Sequence, residues 1–584
     1  MTDAVVAQVG SAAIPEAEHQ IEPTSQATLD EALAILEDHK AAWAGLGIED
    51  RVELLEQLRD GVVRVAQRWV DASVEAKGLR PGSGQEGEEW LGGVSLVVRN
   101  ISLLIESLTD VATHGAPQLP KDAYARPGGQ VAAPVFPTDV WDSLLFQGFT
   151  AEVWMDPDVR LEELPRAQAS FYRAPGHDGR VALVLGAGNV SSIGPMDALY
   201  KLFVEGSVVM LKMNPVNEYL GPIIDDAFSP LRERGVFRLV YGGANEGKYL
   251  CQHSLVEEMH ITGSDKTHDA IVFGGGSEGA RRKADNEPLN PKHITSELGN
   301  VSPIIVVPGP WSSGDLAFQA ENIASSLVNN AGFNCTATRV IIQHEQWGQR
   351  EALLDRLKAV FREEPDRKPY YPGAEDRQRA FMAEHPEGDE FGAKGPGQAP
   401  WTLIHHLDPS NRDDICFTTE SWCGLTGEVA LPASSVVEYI DRAVAFANDA
   451  CWGTLAATLI VHPKSLKDPA VADAVERAVE GLRFGSVAVN HWSALAYGLV
   501  TPTWGAFPGH PLNDIGSGQG VVHNTFLFDR AQKAVVRGPF RVFPKPAWFV
   551  TNKTAAEVGR KLTYFYADPS ATRIPSILWS AIRG

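Results

Sequence analysis

Val181-Ala-Leu-Val-Leu-Gly-Ala-Gly-Asn189 is the stretch whose reading decides the fold. Val181–Leu185 is a short apolar run, which suits a buried strand. It runs directly into a turn rich in Gly and Ser, Gly186–Ser192. Pro195 suits the first turn of a helix, where no backbone N–H is needed. That helix is expected to reach about Glu205 and to stop at Gly206, a good C-terminal signal. Val208–Leu211, Phe237–Tyr241 and Met259–Ile261 read as further strands with helical stretches between them. Such alternation implies a parallel sheet with right-handed crossovers, an architecture of the dinucleotide-binding type.

Outward from this unit the pattern continues. Beyond Glu297 a second α/β stretch has strands at Ile304–Val307 and Val340–Ile342 and a helix near 315–329. Residues 363–415 are polar and rich in Pro, Gly and charge, and read as surface elements and loops. A third α/β stretch runs from about 428 to 490. No pattern places residues 551–584. Toward the start, residues 29–77 read helical, with Leu55, Leu58, Val62 and Val65 on one apolar stripe whose role is packing. No internal repeat is evident.

The 584 residues are too many for one compact core, so roughly two to four domains are expected. A formal charge of −23 repels phosphate backbones and anionic lipid, which disfavours nucleic-acid and membrane partners. The basic triplet Arg281, Arg282, Lys283 reads as a solvated surface run. The first residues have neither a basic start nor a sustained apolar core, so a disordered acidic tail is expected there rather than a secretory signal. No stretch approaches the roughly 18 apolar residues of a membrane span, and a cytoplasmic protein is expected. The cysteines are Cys251, Cys335, Cys416, Cys423 and Cys451. Their odd number and wide spacing argue against a disulfide framework, and the absence of CxxC and HExxH leaves a metal site without support. One reactive thiol fits such a chain.

The chemistry lies in segments at strand ends. Leu185-Gly-Ala-Gly-Asn189 and Leu211-Lys-Met-Asn-Pro215 follow successive strands. Ile261-Thr-Gly-Ser264 ends another. Glu297-Leu-Gly-Asn300 is followed by Gly332-Phe-Asn-Cys-Thr-Ala-Thr-Arg339. Taken singly, each has an ordinary explanation: a turn, a solvated lysine, a helix cap, a buried cysteine, a surface carboxylate.

In this order the segments resemble the aldehyde dehydrogenase superfamily, over about residues 30 to 545. The resemblance implies a dinucleotide-binding domain of Rossmann type, an α/β catalytic domain and a small β oligomerisation part. The boundaries it suggests are a tail over 1–29, the dinucleotide-binding domain over 30–145 and 176–296, and the catalytic domain over 297–510. The oligomerisation part would combine 146–175 with 511–550, and 551–584 would be an extension. It further implies that Cys335 attacks an aldehyde carbonyl as thiolate, with Asn189 and the Cys335 backbone N–H as oxyanion donors and Glu297 as general base. The cofactor, NAD or NADP, would be held by Lys212, Gly263, Ser264, Leu298 and Glu420. A homodimer or homotetramer is implied, with a small aldehyde as the partner molecule.

Departures accompany the likeness. Gly188 stands where the family often has Trp. Pro215 stands where a ribose-gripping carboxylate is expected, which leaves NAD or NADP open. His268 replaces a Gly, the segment after the cysteine is one residue short, and Glu420 is displaced by one position. The Gly-Asn-Val after Gly186-Ala also resembles the acyl-CoA reductases of the same superfamily, and a catalytically silent member is a further alternative. His491, Trp492, Trp422 and Trp504 are candidates for an aldehyde entrance, and Gly516–Gly520 resembles the segment before the oligomerisation strand.

Overall fold

The computed structural model describes residues 9–174 and 176–584. Two sheets organise it. The first has, in spatial order, strands 293–298, 258–263, 181–185, 208–212 and 237–240, all parallel, with Gly518–Gln519 added antiparallel at the edge. Every residue from Val181 to Val184 is buried, as a strand covered on both faces must be. The helix opened near Pro195 runs Ile193–Leu199 and loosens into a π-turn over Tyr200–Val204. It ends at Gly206, whose φ of 73° and contact with the Phe171 ring admit no side chain.

The second sheet is longer. Its parallel body runs 401–407, 425–431, 338–344, 302–306, 456–460, 486–489 and 531–537. The antiparallel strands 150–155, 131–136 and 124–125 continue it beyond 531–537. The sequence reading grouped residues up to 145 with the dinucleotide-binding unit; strand Val131–Phe136 instead lies in the sheet of Thr150–Met155. The long helices Gln26–Ala44, Ile48–Ala76 and Ser95–His114 pack on the first sheet, in the core that also holds its strands.

Two expectations need correcting, and two further stretches are now placed. Residues 363–415 are more than surface loops: they contain helix Ala374–Glu384 and strand Trp401–Leu407, which pairs within the second sheet. Their polar composition reflects the loops around these elements. Residues 551–584 form helices Ala555–Ala567 and Ile574–Ile582, the first packed against Ser95–His114 through Ser95 and Thr563. Of the tail expected over 1–29, positions 1–8 lie outside the described residues. From Val9 the chain is built into the fold, with Gly10–Ser11 pairing parallel to Thr419–Glu420. Finally, helical residues 86–114 are long and apolar enough to cross a membrane, although 72% of the apolar window is buried inside the protein. Charged residues spread along this stretch hid it from a search for an uninterrupted apolar run.

Candidate active site

Strand 181–185 is flanked on one side by 208–212 and on the other by 258–263, both later in the chain. The chain therefore reverses its direction of winding at this strand, and open parallel sheets leave a crevice there at the carboxyl ends. Leu185, Lys212, Gly263 and Leu298 are those carboxyl ends. Four residues beyond Leu298 the chain enters strand 302–306 of the second sheet, so Glu297 stands at the junction of the two sheets.

A cleft of about 1270 Å³ opens along this junction. Its walls bring together Asn189, Lys212, Gly263, Ser264, Glu297, Leu298, Cys335 and Glu420, the residues expected to be catalytic or to hold the cofactor. Cys335 follows helix Ser313–Val328 through a turn in which Asn330, Ala331 and Gly332 are all left-handed. A side chain at Gly332 would strike the Cys423 backbone, so this turn is tied to the segment bearing Glu420. Arg339 ties it again, donating to the carbonyls of Gly332, Cys423 and Leu425.

Cys335 is half-buried, whereas the other four cysteines are buried. Its thiol neighbours the Glu297 carboxyl on the cleft wall. Burial and the neighbouring Glu297 and Glu420 push the Cys335 thiol well above its usual range. Burial, with Asp197 and Glu420 nearby, pushes Glu297 up to about 8. At neutral pH the resting pair is thus a thiol beside a largely protonated carboxyl. The Trp504 side chain also neighbours Glu297 and favours its ionised form.

Asn189 is held from several sides. Its side-chain amide donates to the Phe333 carbonyl at 2.8 Å, two residues before Cys335. Its backbone carbonyl accepts from Lys77 Nζ at 3.1 Å, Asn330 Nδ2 at 3.0 Å and the Tyr370 hydroxyl at 3.1 Å. Lys77 in turn pairs with buried Glu89 at 2.8 Å. Lys77, Asn330 and Tyr370 escaped the sequence reading; an adjacent Tyr-Tyr pair inside a polar segment was the one available sign. Tyr371 also lines the cleft, and it explains Gly188: a Cβ there would sit 2.8 Å from the Tyr371 hydroxyl and 2.7 Å from Asn214 Oδ1. The volume that a larger residue would take is filled from the 363–415 segment.

Of the aromatic candidates, Trp422 lines the cleft. Trp492 supports the cysteine turn by donating to the Thr336 carbonyl at 2.8 Å. His491 does not line the cleft; it is buried against Phe149 and Trp548, its Nε2 donates to the Pro539 carbonyl at 2.8 Å, and burial lowers it to about 4.

The cleft suits a phosphorylated dinucleotide. Ser264 caps helix Asp265–Val272, and Lys266 and Thr267 of its first turn line the cleft, the arrangement that receives phosphate. Lys212 is buried, with only a long 3.4 Å contact to the Met213 carbonyl. Glu420 keeps a buried, unpartnered Oε1, and burial raises it to about 8, as befits a carboxyl waiting for hydroxyl donors.

Comparison with known proteins agrees with this architecture. The aldehyde dehydrogenase family model matches residues 167–373. N-succinylglutamate 5-semialdehyde dehydrogenase of Sphingopyxis alaskensis is 25% identical over 41% of this chain and 42% of its own length. 4-trimethylaminobutyraldehyde dehydrogenase B of Danio rerio is 25% identical over 57% and 60%. The chain thus spans less than two thirds of the length of these curated relatives. The NADP complex of glyceraldehyde-3-phosphate dehydrogenase from Bacillus halodurans superposes with a TM-score of 0.59 at 15% identity, covering 89% of this chain and 92% of that one. Aldehyde dehydrogenase C of Pseudomonas syringae, with NAD+ and octanal, gives 0.57 at 15%, covering 92% and 97%. At such identities the likeness is one of fold.

Proposed function

We propose that this chain, which belongs to the aldehyde dehydrogenase superfamily, oxidises an aldehyde to a carboxylic acid with NAD or NADP as hydride acceptor. The observation that carries this reading is that Cys335, Glu297 and Asn189 line one cleft, with the thiol and the carboxyl as neighbours. Glu297, in its ionised form, takes the proton of the Cys335 thiol as the sulfur bonds to the aldehyde carbon and the carbonyl π pair moves onto oxygen, forming a thiohemiacetal; the carboxyl must release that proton before it serves again. The oxygen takes up negative charge, and the Asn189 side-chain amide with the Cys335 N–H stabilises it. The dinucleotide, when bound, accepts the hydride that leaves this carbon. Lys212, Gly263, Ser264, Leu298 and Glu420 would hold it, the lysine and Glu420 at ribose hydroxyls and the Ser264 helix terminus at the pyrophosphate.

Collapse of the thiohemiacetal leaves a thioester on Cys335. Glu297, next to that sulfur, removes a proton from water, and the hydroxide displaces the thiolate to give the acid. A carboxyl placed to activate water favours hydrolysis over transfer of the acyl group to a CoA thiol. The same proposal includes assembly into a homodimer or homotetramer, which light scattering on the purified chain would measure.

The test is nicotinamide absorbance at graded aldehyde chain lengths with NAD and with NADP, beside a Cys335→Ala control. Reduction of cofactor that disappears in the variant is expected. No turnover, followed by oxidation of reduced cofactor with acyl-CoA, would replace this reading by the reverse reaction; inactivity in both directions would leave a silent member.

A further inference from the structure

The segment before the first helix crosses the cleft and touches both of its lips. On the side of the second sheet, Gly10–Ser11 pairs with Thr419–Glu420, the Ala12 N–H donates to the Glu420 carbonyl at 3.3 Å, and Arg377 donates to the Ala13 carbonyl at 3.3 Å. On the side of the first sheet, the Ser11 N–H donates to Asp265 Oδ1 at 3.0 Å and Lys266 donates to the Val9 carbonyl at 2.7 Å. Further along, the Ala244 N–H donates to Glu16 Oε1 at 2.8 Å, and Glu218 accepts from the Gln20 and Ile21 N–H groups. With this strap in place the cleft still measures about 1270 Å³, above the usual range of roughly 300–1,000 Å³ for small-molecule sites. The strap is therefore a wall and not a plug.

Glu16 enters where the first sheet lacks a carboxylate. Pro215 ends the Lys212 segment and offers no acceptor side chain. Both Lys212 and Glu16 line the cleft, and Glu16, Glu246 and Glu218 are the carboxylates whose charge falls on the buried ammonium. Each accepts a backbone N–H, Glu246 from Gly243, Glu218 from Ile21 and Glu16 from Ala244, but of these three carboxylates only Glu16 lines the cleft. Other cations line the cleft. Lys266 is bound to the Val9 carbonyl and Asp265, Lys292 to the Cys251 and His253 carbonyls, and Arg282 to Glu278, while Lys248 lies on the wall beside Gly247.

We propose that Val9–Ile21 is the outer wall of the dinucleotide cleft and that Glu16 is a specificity residue, accepting a ribose hydroxyl and disfavouring a 2′-phosphate, so that NAD is preferred to NADP. This rests on the dinucleotide reading above. A carboxylate can accept from a hydroxyl but meets a phosphate with like charge, and such repulsion sets selectivity more strongly than added attraction.

The experiment is direct binding of NADH and NADPH, followed by nicotinamide fluorescence, to the full chain, to Glu16→Gln and to a chain beginning at residue 22. Helix Gln26–Ala44 keeps its own Ser25 cap in the shortened chain, and a melting curve checks that it folds. The full chain is expected to bind NADH about tenfold more tightly than NADPH, Glu16→Gln to reduce that ratio several-fold, and the shortened chain to bind both about tenfold more weakly with the preference lost. An NADPH preference in the full chain, or an unchanged ratio in both variants, overturns the proposal while leaving the dinucleotide reading intact. Tighter binding by the shortened chain also overturns it, because the strap would then be an inhibitor. Binding of neither dinucleotide by any of the three brings down the dinucleotide reading itself.

Discussion

The Tyr370 hydroxyl donates to the backbone carbonyl of Asn189 at 3.1 Å, so a residue from the 363–415 segment fixes the backbone that carries the proposed oxyanion donor. The same hydroxyl reaches Asn330 Oδ1 at 2.8 Å, in the left-handed turn that leads to Cys335. One phenol therefore sets the distance between the two groups that must meet at the aldehyde carbonyl. Tyr370→Phe keeps the ring and removes both bonds. A hydrogen bond of this kind contributes about 1 kcal/mol, and misplacement of a donor adds to the loss. The expected result is a fall in kcat of about tenfold with KM for the dinucleotide unchanged, measured by steady-state kinetics. Unaltered kcat would remove Tyr370 from any positioning role.

Lys77 is expected to matter in a different way. Its ammonium is buried between Glu89, the Asn189 carbonyl and Asn330 Oδ1. Lys77→Met leaves the Glu89 carboxylate buried without its cation, which costs about 3–5 kcal/mol in comparable cases. A clear drop in melting temperature should follow. The double variant Lys77→Met/Glu89→Gln removes the stranded charge and should recover most of the stability. Turnover should stay low in both, because the Asn189 carbonyl has lost its charged donor. Full recovery of turnover in the double variant would make the pair purely structural.

These supports show where the sequence was legible and where it was not. Val181–Leu185, Val208–Lys212 and Glu258–Gly263 could be read because a buried parallel strand writes itself as an uninterrupted apolar run. Asn189, Glu297 and Cys335 could be picked out because their segments, taken in order, resemble those of the aldehyde dehydrogenase superfamily. Lys77, Asn330 and Tyr370 converge on one carbonyl from helix, turn and loop separated by up to 293 residues of sequence numbering, from position 77 to position 370. Nothing local marks such a convergence. Val9–Ile21 was misjudged for a related reason: its composition is that of a solvated tail, and its partners, Glu420, Asp265 and Ala244, are distant in the chain. For His491 the resemblance pointed to an aldehyde entrance, while its surroundings are the aromatic core of Phe149 and Trp548.

Gly188 supplies a steric prediction. Its missing side chain gives room to the Tyr371 hydroxyl and to Asn214. Gly188→Ala places a methyl group within 2.8 Å of that hydroxyl, and the neighbouring Asn189 must shift or the tyrosine must withdraw. A loss of about 1–3 kcal/mol in stability and a larger loss in turnover are expected. Gly188→Ala combined with Tyr371→Phe relieves the closest contact on one side and should regain part of the stability in urea unfolding. If the single substitution is neutral in both measurements, the fit between this glycine and Tyr371 has no functional weight.

The pairing of Cys335 with Glu297 gives the last prediction, and its sign differs for two observables. Glu297 is raised to about 8 by burial and by the charges of Asp197 and Glu420. Below that pH it is neutral and adds no charge opposing the thiolate; above it, the carboxylate holds the Cys335 thiol up further. Alkylation of Cys335 by iodoacetamide, read by mass spectrometry of the peptides, should therefore rise with pH, and should be the first of the five cysteines to react because the others are buried. Glu297→Gln removes the opposing charge, so its alkylation should match the wild type near pH 7 and exceed it above pH 8. Turnover should behave in reverse. Hydrolysis of the thioester needs the carboxylate, so wild-type kcat should climb toward pH 8 and level off beyond it, while Glu297→Gln should lose about 10²- to 10⁴-fold and keep no such rise. Faster alkylation together with undiminished turnover in Glu297→Gln would show that another group activates the water.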